Sequence, residues 1–454
     1  MTHVVSDLAA RSKWSVLKDI EVAEVSPASH PIQAELVVPG SKSLTNRALI
    51  MAALAHGESE LSGILKSDDS YWCIQTLKEL GVEVKITGDT AKVYGMGGNW
   101  PVKQAEVYIG AAGTTARFLP GALAAAKGGN WVIRASKRMS ERPMHPLITA
   151  LQQLGASIRY LEKEGYLPIE IRGEGLKGGE VHISGSTSSQ FISGLLIASA
   201  LAENPVTICI TDHIVQHAYV KMTIDLLEQF GIHVDHDDSL TMMRVKPQSY
   251  HARRLQLEAD ASTAGYFFAL AALTNGRVRI TNLSYQTRQP DIQLVDVFER
   301  MGCRVTRGNG FIELEGVQQL KGGFDISMKE MSDQTLTLAA VAPFADGPIA
   351  IHDVAHIRHH ECDRISAIVQ LLTQMGIRVE ERKDGLTVYP GQPKAAELFA
   401  YDDHRVAMSL ALIGAKVPGI RILDPGCVSK TCPQYFNELE KLGLQVKLEK
   451  KATS

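Results

Sequence analysis

The stretch Leu77-Lys78-Glu79-Leu80-Gly81-Val82-Glu83-Val84 decides the fold, because its pattern recurs five more times along the chain. Each copy consists of the apolar end of a helix, a glycine, and an alternating run that predicts a strand. Glycine is the residue that most easily takes the left-handed conformation that ends a helix. The glycines follow one another at intervals of roughly 70 residues, which indicates an internal repeat; they are Gly81, Gly155, Gly231, Gly302, Gly376 and Gly443.

A second helix, rich in alanine, is predicted in every repeat. The small side chains indicate a helix that packs closely on all sides. Three repeats make a domain of ordinary size, so we predict two domains after an N-terminal extension of residues 1–22. The first domain takes 23–40 plus 259–454, and the second takes 41–258. The predicted alanine-rich helices are 48–55, 116–127, 194–202, 264–274, 336–344 and 406–416.

Composition excludes several classes of function. The chain has 454 residues, with 47 basic and 50 acidic side chains and a net charge of −3, which argues against binding nucleic acid through bulk charge. No apolar run is as long as a membrane span, and residues 1–20 lack the apolar core of a signal peptide. Six scattered cysteines without a Cys-x-x-Cys pair favour a reduced, cytoplasmic protein, and we expect no structural zinc site.

The starts of the alanine-rich helices carry the polar residues. The first, Pro39-Gly40-Ser41-Lys42-Ser43-Leu44-Thr45-Asn46-Arg47, combines free backbone N–H groups with two cations, and Ser43, Thr45 and Asn46 are candidate caps. Cations at a helix N-terminus oppose the helix dipole, so their recurrence favours binding of anionic groups over simple capping. The other starts are 110–117, 184–190, 259–263, 331–335 and 401–405.

Two further segments contain charged side chains, namely 138–143 and 356–364. The second offers three histidines, a glutamate and a cysteine. The adjacent pair His359-His360 does not suit one metal ion, and the His-Glu-x-x-His spacing is absent, so we expect no metal there. Glu361, flanked by basic residues, is typical of a proton-transferring carboxylate.

Together these motifs resemble the 5-enolpyruvylshikimate-3-phosphate (EPSP) synthase family, and the match extends from Glu35 to Val446. The most specific elements are the corner Pro39–Arg47, the run Asp402-Asp403-His404-Arg405, and Leu423-Asp424-Pro425 with Lys430-Thr431. The resemblance implies an α/β fold: a two-domain inside-out α/β barrel with three βαβαββ repeats in each domain. That expectation agrees with the six repeats read from the sequence.

The resemblance implies transfer of the enolpyruvyl group of phosphoenolpyruvate to shikimate 3-phosphate, with release of phosphate and without a metal or organic cofactor. Asp333 would take the proton of the 5-hydroxyl, and Glu361 would protonate the methylene carbon, with Lys42 as a further catalytic residue. Residues implied for shikimate 3-phosphate are Lys42, Ser43, Arg47, Ser188, Ser189, Gln190, Asp333 and His360. Those implied for phosphoenolpyruvate are Lys42, Gly113, Arg142, Gln190, Arg364, Arg405 and Lys430.

Four positions depart from the commonest family pattern. Ala111 and His356 stand where asparagine is frequent, Gln216 replaces a serine, and His360 replaces a lysine. A histidine beside Glu361 would make the local charge depend on pH near neutrality. These positions bear on the response to glyphosate and on contacts with shikimate 3-phosphate.

Two alternative functions fit the motifs less well. The related transferase that acts on UDP-N-acetylglucosamine usually has a Gly-Ala-Lys-Asn corner and a loop cysteine, and neither is present. An inactive anion-binding scaffold is disfavoured because both Asp333 and Glu361 are retained. We expect a monomer that binds small molecules and neither nucleic acid nor membranes.

Overall fold

The computed structural model describes residues 5–452, which divide into two compact units. Unit 1 consists of the chain up to Pro39 and from Ala259 onward, and unit 2 is the continuous segment Gly40–Glu258. Within residues 5–452, no helix combines the length and the apolar character needed to cross a membrane.

Unit 2 contains three sheets and the helices that pack on them. Its α-helices are Lys42–Leu54, Asp68–Glu79, Gly113–Ala124, Lys137–Ser140, His145–Gln153, Ser189–Ser199 and His217–Gln229. Its strands are Ala55–Ser62, Glu83–Thr87, Thr90–Met96, Gln104–Tyr108, Lys127–Arg134, Ser157–Tyr160, Ile169–Glu174, Gly179–Gly185, Val206–Ile214, Asp235–His236, Met242–Val245, Tyr250–His251 and Arg254–Gln256.

Unit 1 has the same plan. Its α-helices are Ala261–Thr274, Leu294–Arg300, Thr335–Val341, Arg364–Gln374, His404–Gly414 and Tyr435–Lys441. Short 3-10 helices span Leu8–Ala10, Pro290–Gln293, Ser332–Gln334, Ala342–Phe344, Ala355–His359 and Pro425–Lys430. Its strands are Ile20–Ser26, Gln33–Leu36, Arg277–Ile280, Arg304–Arg307, Ile312–Glu315, Phe324–Ser327, Ile349–His352, Val379–Arg382, Gly385–Val388, Glu397–Phe399, Ile420–Leu423 and Gln445–Lys450.

All six sheets share one pairing scheme. A parallel pair at one edge is followed by two antiparallel pairings. In the sheet that contains Gln104–Tyr108 and Lys127–Arg134, the two parallel strands flank an alanine-rich helix, and an antiparallel hairpin completes the sheet. Parallel neighbours require such a helical crossover. The scheme therefore reproduces the repeat that the glycines indicate.

Three sheets are completed by strands from distant parts of the chain. In unit 1, Ile20–Ser26 lies between Ile420–Leu423 and Gln445–Lys450, and Gln33–Leu36 pairs in parallel with Arg277–Ile280. In unit 2, the short strands near residues 250–256 pair with Ala55–Ser62. The strand at Ile20 begins before residue 23, so the residues expected to be an extension already contribute to a sheet.

The six repeat glycines end their helices as expected. Each has a positive φ, between 84° and 105°. The residue after each glycine donates its N–H to a carbonyl five residues earlier, as Val82 does to Leu77 at 2.9 Å and Leu444 to Leu439 at 3.1 Å. This is the hydrogen bond of a Schellman motif, which satisfies a carbonyl at the helix end.

The alanine-rich helices form the interior of each unit. Each begins before its predicted start, most clearly the helix that begins at Lys42 rather than at residue 48, so the polar motifs lie at or inside the first helical turn. From Thr45 to Leu54 and from Gly113 to Ala124 every side chain is buried. Close packing depends on glycine, because a Cβ at Gly194 would come within 2.1 Å of the Arg117 carbonyl oxygen. Helices therefore lie inside each unit and sheets outside.

Candidate functional site

The first helix of unit 2 begins at Lys42 and is capped by Ser41. The Ser41 hydroxyl accepts from the Leu44 N–H at 3.2 Å, so the cap is not one of the three residues expected from the sequence. Thr45 instead accepts from the Leu65 N–H at 3.0 Å. The Lys42 ammonium lies 3.9 Å from Asp69 Oδ2, and its side chain is 17% exposed. Lys42 is thus held at the helix start with part of its surface open.

Arg47 is a buried cation, with 1% of its surface exposed. Its Nε donates to Thr223 Oγ1 at 2.8 Å and its Nη1 to the Ser43 carbonyl at 3.1 Å. In the part of the chain that the structure describes, all its hydrogen-bond partners are neutral. Burial lowers the pKa of Arg47 to about 10, an effect that the Tyr219 hydroxyl only partly offsets. A guanidinium in this setting would gain strongly from an anionic ligand.

The starts of the helices Gly113–Ala124 and Ser189–Ser199 in unit 2 bring a group of polar residues together. Arg117 Nη1 donates to Gln190 Oε1 at 2.8 Å. A Cβ at Gly113 would lie 3.1 Å from Arg142 Nη1 and 3.2 Å from Arg117 Nη1, so the absence of a side chain leaves the backbone open to both cations. Ser188 caps its helix by accepting from the Gln190 N–H at 3.2 Å, and Ser189 is buried beside it.

In unit 1, Arg364 joins three carboxylates. Its Nε donates to Asp403 Oδ2 at 2.8 Å, its Nη2 to Glu361 Oε2 at 2.7 Å, and its Nη1 to Asp333 Oδ1 at 3.2 Å. Burial alone would lower the pKa of Arg364, but Asp403 and then the other two carboxylates raise it above its ordinary value. Arg364 therefore stays charged and fixes Glu361 and Asp333 relative to each other.

Asp333 and Glu361 each face a second cation. Arg405 Nη2 lies 3.5 Å from Asp333 Oδ2, and Lys430 Nζ lies 3.1 Å from Glu361 Oε1. The two carboxylate side chains remain 18% and 13% exposed, so each can be reached from outside. Carboxylates held in place by cations are suited to accept or deliver protons at fixed positions.

His360 differs from what the sequence suggested. Its Nδ1 accepts from Arg364 Nη1 at 3.1 Å, and the same atom lies 3.9 Å from Asp333 Oδ1. Burial, and then the charge of Arg364, lowers the pKa of His360 well below its ordinary value. The ring is therefore neutral at neutral pH, and the expected change of charge through neutrality is wrong for the protein without ligand. Its assignment to shikimate 3-phosphate remains a prediction.

A buried carboxylate, Asp291, was missed. Its Oδ2 accepts from the Ser262 hydroxyl and from Gln334 Nε2, the latter at 3.3 Å. Burial and the neighbouring charge of Asp333 raise the pKa of Asp291 to about 7. The residue lies outside the six helix starts, so no local pattern in the sequence marked it. Thr223 likewise lies in no motif and was recognised only through its hydrogen bond with Arg47, 176 positions away.

Besides His360, two further departures from the family pattern have informative structural settings. His356 is buried, and its Nε2 lies 2.8 Å from Ser332 Oγ, next to Asp333. Gln216 precedes the helix His217–Gln229 and takes a left-handed backbone conformation with φ of 50°. A non-glycine residue in this conformation is strained, which marks the turn as a site under local constraint.

Among residues 5–452, the one group of three or more metal-ligating side chains within mutual reach is Glu180, His182 and Cys209, on a sheet of unit 2. Glu180 and His182 are exposed there and belong to neither polar cluster described above.

Comparisons with known proteins agree with one another. The family model of EPSP synthase (3-phosphoshikimate 1-carboxyvinyltransferase) matches residues 27–439. The 3-phosphoshikimate 1-carboxyvinyltransferase 2 of Halalkalibacterium halodurans is 59% identical, over 97% of this chain and 98% of that one. The enzyme of Trichormus variabilis is 40% identical, over 93% of this chain and 99% of that one. The structure of EPSP synthase from Acinetobacter baumannii superimposes with a TM-score of 0.80 at 23% identity, covering 95% of this chain and all of that chain.

Proposed function

The chain belongs to the EPSP synthase family, and from this premise we propose how its residues perform the family reaction. The protein is a transferase of the shikimate pathway. It moves the enolpyruvyl group of phosphoenolpyruvate to shikimate 3-phosphate in aromatic amino acid biosynthesis.

In unit 2, we assign shikimate 3-phosphate to the cations and hydroxyls at the starts of the helices Lys42–Leu54 and Ser189–Ser199. The buried guanidinium of Arg47 and the partly open ammonium of Lys42 would meet the anionic groups of this substrate. Ser43, Ser188, Ser189 and Gln190 would add hydrogen bonds at helix starts, where backbone N–H groups favour anions. The observation that supports this assignment is a buried cation whose described partners are neutral.

Phosphoenolpyruvate is assigned to a second set of residues. In unit 2, these are Lys42, Gly113, Arg142 and Gln190; in unit 1, they are Arg364, Arg405 and Lys430. Phosphoenolpyruvate carries a carboxylate and a phosphate, and guanidinium groups bind both in a bidentate manner. The open backbone at Gly113, next to two guanidinium groups, supports close approach of an anion.

The chemistry is assigned to Asp333 and Glu361, and their placement is the observation that carries the proposal. In the addition step, the 5-hydroxyl oxygen bonds to C2 of phosphoenolpyruvate while Asp333 accepts the hydroxyl proton. Glu361 delivers a proton to the methylene carbon, which gives a tetrahedral intermediate. In the elimination step, a methyl proton is withdrawn and the C2–O bond to phosphate breaks. Arg364 contacts both carboxylates, at 3.2 and 2.7 Å, and so fixes their separation.

The test is phosphate release with both substrates, in the parent and in Glu361→Gln. The amide keeps the shape of the side chain but cannot deliver a proton, so kcat should fall by about 10²–10⁴-fold while both substrates still bind. Glu380→Gln, an exposed acid of unit 1, is the matched control and should keep the parent rate. Near-parent turnover in Glu361→Gln would refute the assigned role. Turnover with UDP-N-acetylglucosamine in place of shikimate 3-phosphate would refute the assignment of shikimate 3-phosphate as the acceptor substrate.

We also propose that the protein acts as a monomer in the cytoplasm. All six cysteines are free thiols, which suits a reducing compartment. Light scattering at the concentration of the assay should give the mass of one chain, 49.5 kDa. A mass twice as large would contradict the monomer.

A further inference from the structure

Arg11 lies before the first strand of the fold and is nearly buried, with 4% of its side chain exposed. Its Nη1 donates to Asp424 Oδ1 at 2.6 Å, and its Nη2 donates to Asp424 Oδ2 at 2.5 Å. The same Nη2 reaches Asp402 Oδ1 at 3.1 Å. One guanidinium therefore holds two carboxylates that are distant from it and from each other in sequence.

Neighbouring residues of the N-terminal segment reinforce this contact. The Asp7 N–H donates to Asp402 Oδ2 at 3.1 Å, and the Ser6 hydroxyl donates to Asp424. Gly426 adjoins the guanidinium, because a Cβ there would lie 2.8 Å from Arg11 Nη1. The segment is thus fitted closely to both turns.

The two carboxylates sit on strained backbone. Asp402 has φ of 50°, and Asp424 has φ of 56°, both in the left-handed region that side chains disfavour. Such strain persists only where surrounding contacts fix the conformation. At Asp424 the backbone N–H also donates to the Glu21 carbonyl at 2.8 Å, whereas Arg11 is the side chain that contacts both Asp402 and Asp424.

Each strained turn leads directly to a cation assigned to phosphoenolpyruvate. Asp402 is followed by the helix cap Asp403 and then by Arg405, whose N–H donates to Asp403 at 2.9 Å. Asp424 precedes the 3-10 helix Pro425–Lys430, at whose end Lys430 lies. A shift of either turn would move one of these two cations.

We propose that Arg11 is a positioning residue for phosphoenolpyruvate, because it locks the turns at Asp402 and Asp424 and thereby places Arg405 and Lys430. The inference rests on the proposed function, which gives those two cations their ligand. Without Arg11, two largely buried carboxylates would face each other without their shared counter-charge, which is strongly unfavourable. Removal of Arg11 should therefore displace both turns together.

The test compares Arg11→Met and Arg11→Lys with the parent in steady-state assays. Methionine removes the charge, so KM for phosphoenolpyruvate should rise by about tenfold or more while KM for shikimate 3-phosphate stays within about twofold. Lysine keeps the charge but not the bidentate contact with Asp424, so Arg11→Lys should have a KM for phosphoenolpyruvate between those of the parent and Arg11→Met. Hydrogen exchange of the peptides spanning 400–406 and 423–431 should be faster in Arg11→Met.

Arg421→Met is the matched control. Arg421 also pairs with carboxylates in unit 1, at 2.7 Å from Glu449 and 3.0 Å from Glu24, yet it touches neither turn. It should lower stability without changing the ratio of the two KM values. Equal changes of both KM values in Arg11→Met, or unchanged exchange of the two peptides, would overturn the proposal.

A further variant separates this inference from the proposed function. Lys430→Met should raise KM for phosphoenolpyruvate if the assignment of that cation is right. If Lys430→Met has this effect and neither Arg11 variant does, Arg11 is not a positioning residue. If Lys430→Met has no effect, the assignment of phosphoenolpyruvate to Lys430 fails, and the positioning role fails with it.

Discussion

Arg47 illustrates a functional demand that opposes stability. A charged group held away from water costs free energy unless a counter-charge repays it. The lowered pKa of Arg47, about 10, expresses this cost, because the folded protein releases the proton more easily than the unfolded chain does. Below pH 10 both states hold the proton, so the penalty is present at neutral pH and an anionic ligand would remove it.

We therefore expect Arg47→Met to reduce affinity for shikimate 3-phosphate by at least about 30-fold, since loss of a buried charge contact typically costs about 2–5 kcal/mol. The same variant should leave the stability of the ligand-free protein unchanged or higher in urea unfolding. Arg244→Met, at an exposed arginine of unit 2, should change neither quantity. A large loss of ligand-free stability in Arg47→Met would show that Arg47 is mainly structural.

The setting of His360 predicts how the stability of the folded protein depends on pH. Its pKa lies well below 6.5 in the folded protein, first because of burial and second because of Arg364. Below about pH 6.5 the unfolded chain binds a proton there that the folded protein does not, so stability falls as pH decreases. Between pH 7.5 and 5.5, His360→Gln should lose less thermal stability than the parent.

The neighbouring residue supplies the comparison for that experiment. His359 is exposed, and His359→Gln should keep the pH dependence of the parent. An identical loss of stability in His360→Gln and the parent would mean that His360 is charged when folded. The lysine that is frequent at this position would bring a permanent charge next to Arg364, which the histidine avoids.

At the scale of elements, the six helix-ending glycines differ between the units. In unit 2 a Cβ added at Gly81 would lie 2.7 Å from Pro101 Cβ, and one at Gly231 would lie 2.3 Å from His251 Cδ2; at Gly155 the nearest atom, Lys177 Cγ, is 3.2 Å away. In unit 1 the nearest atoms are 3.7 Å away or more, as at Gly376. The backbone requirement is thus common to all six, whereas the packing requirement belongs to unit 2.

Gly81→Ala should therefore cost more stability than Gly88→Ala. Gly88 also has a positive φ, of 61°, but nothing lies within 4 Å of its added Cβ. The backbone cost for alanine is about 1–2 kcal/mol in both, and only Gly81→Ala adds a clash with the ring of Pro101. Equilibrium unfolding of the two variants measures the difference, and equal losses would contradict the packing argument.

The elements show what could be predicted from sequence. The six helix ends marked by a repeat glycine were located correctly, because glycine with positive φ is a local signal. The helix starts were placed too late, because the polar motif residues occupy the first turn, where sequence pattern alone reads them as caps. Ser41 rather than Ser43 is the cap, a difference set by backbone geometry.

The functional contacts were the less predictable part. Arg364 and Asp403 were both in recognised motifs, but their pairing across 39 positions could not be derived from either motif. Arg47 and Thr223 are 176 positions apart. Asp291 lies in no motif at all. Long-range contacts of this kind arise from the packing of repeats and leave no local trace.

At the scale of the whole chain, residues 23–40 were assigned to the same domain as 259–454, but the individual strand partners were not predicted. The strand Gln33–Leu36 runs directly into the Lys42 corner of unit 2, yet it pairs with Arg277–Ile280 of unit 1. The sheet that begins with Ala55–Ser62 is completed instead by residues near 250–256. A repeat pattern alone does not identify the partner of a given strand, because any of the equivalent strands would satisfy the pattern.

The exchange of strands has a consequence for synthesis on the ribosome. Every strand of unit 2 has its partner within Gly40–Glu258, so this unit can finish folding while later residues are still being made. Ile20–Ser26 is translated among the first segments, but Val22 pairs with Leu423, about 400 residues later. The strand Ile20–Ser26 therefore stays without its partner strands until translation is nearly complete. Unit 1 is then the last part of the nascent protein to complete its fold.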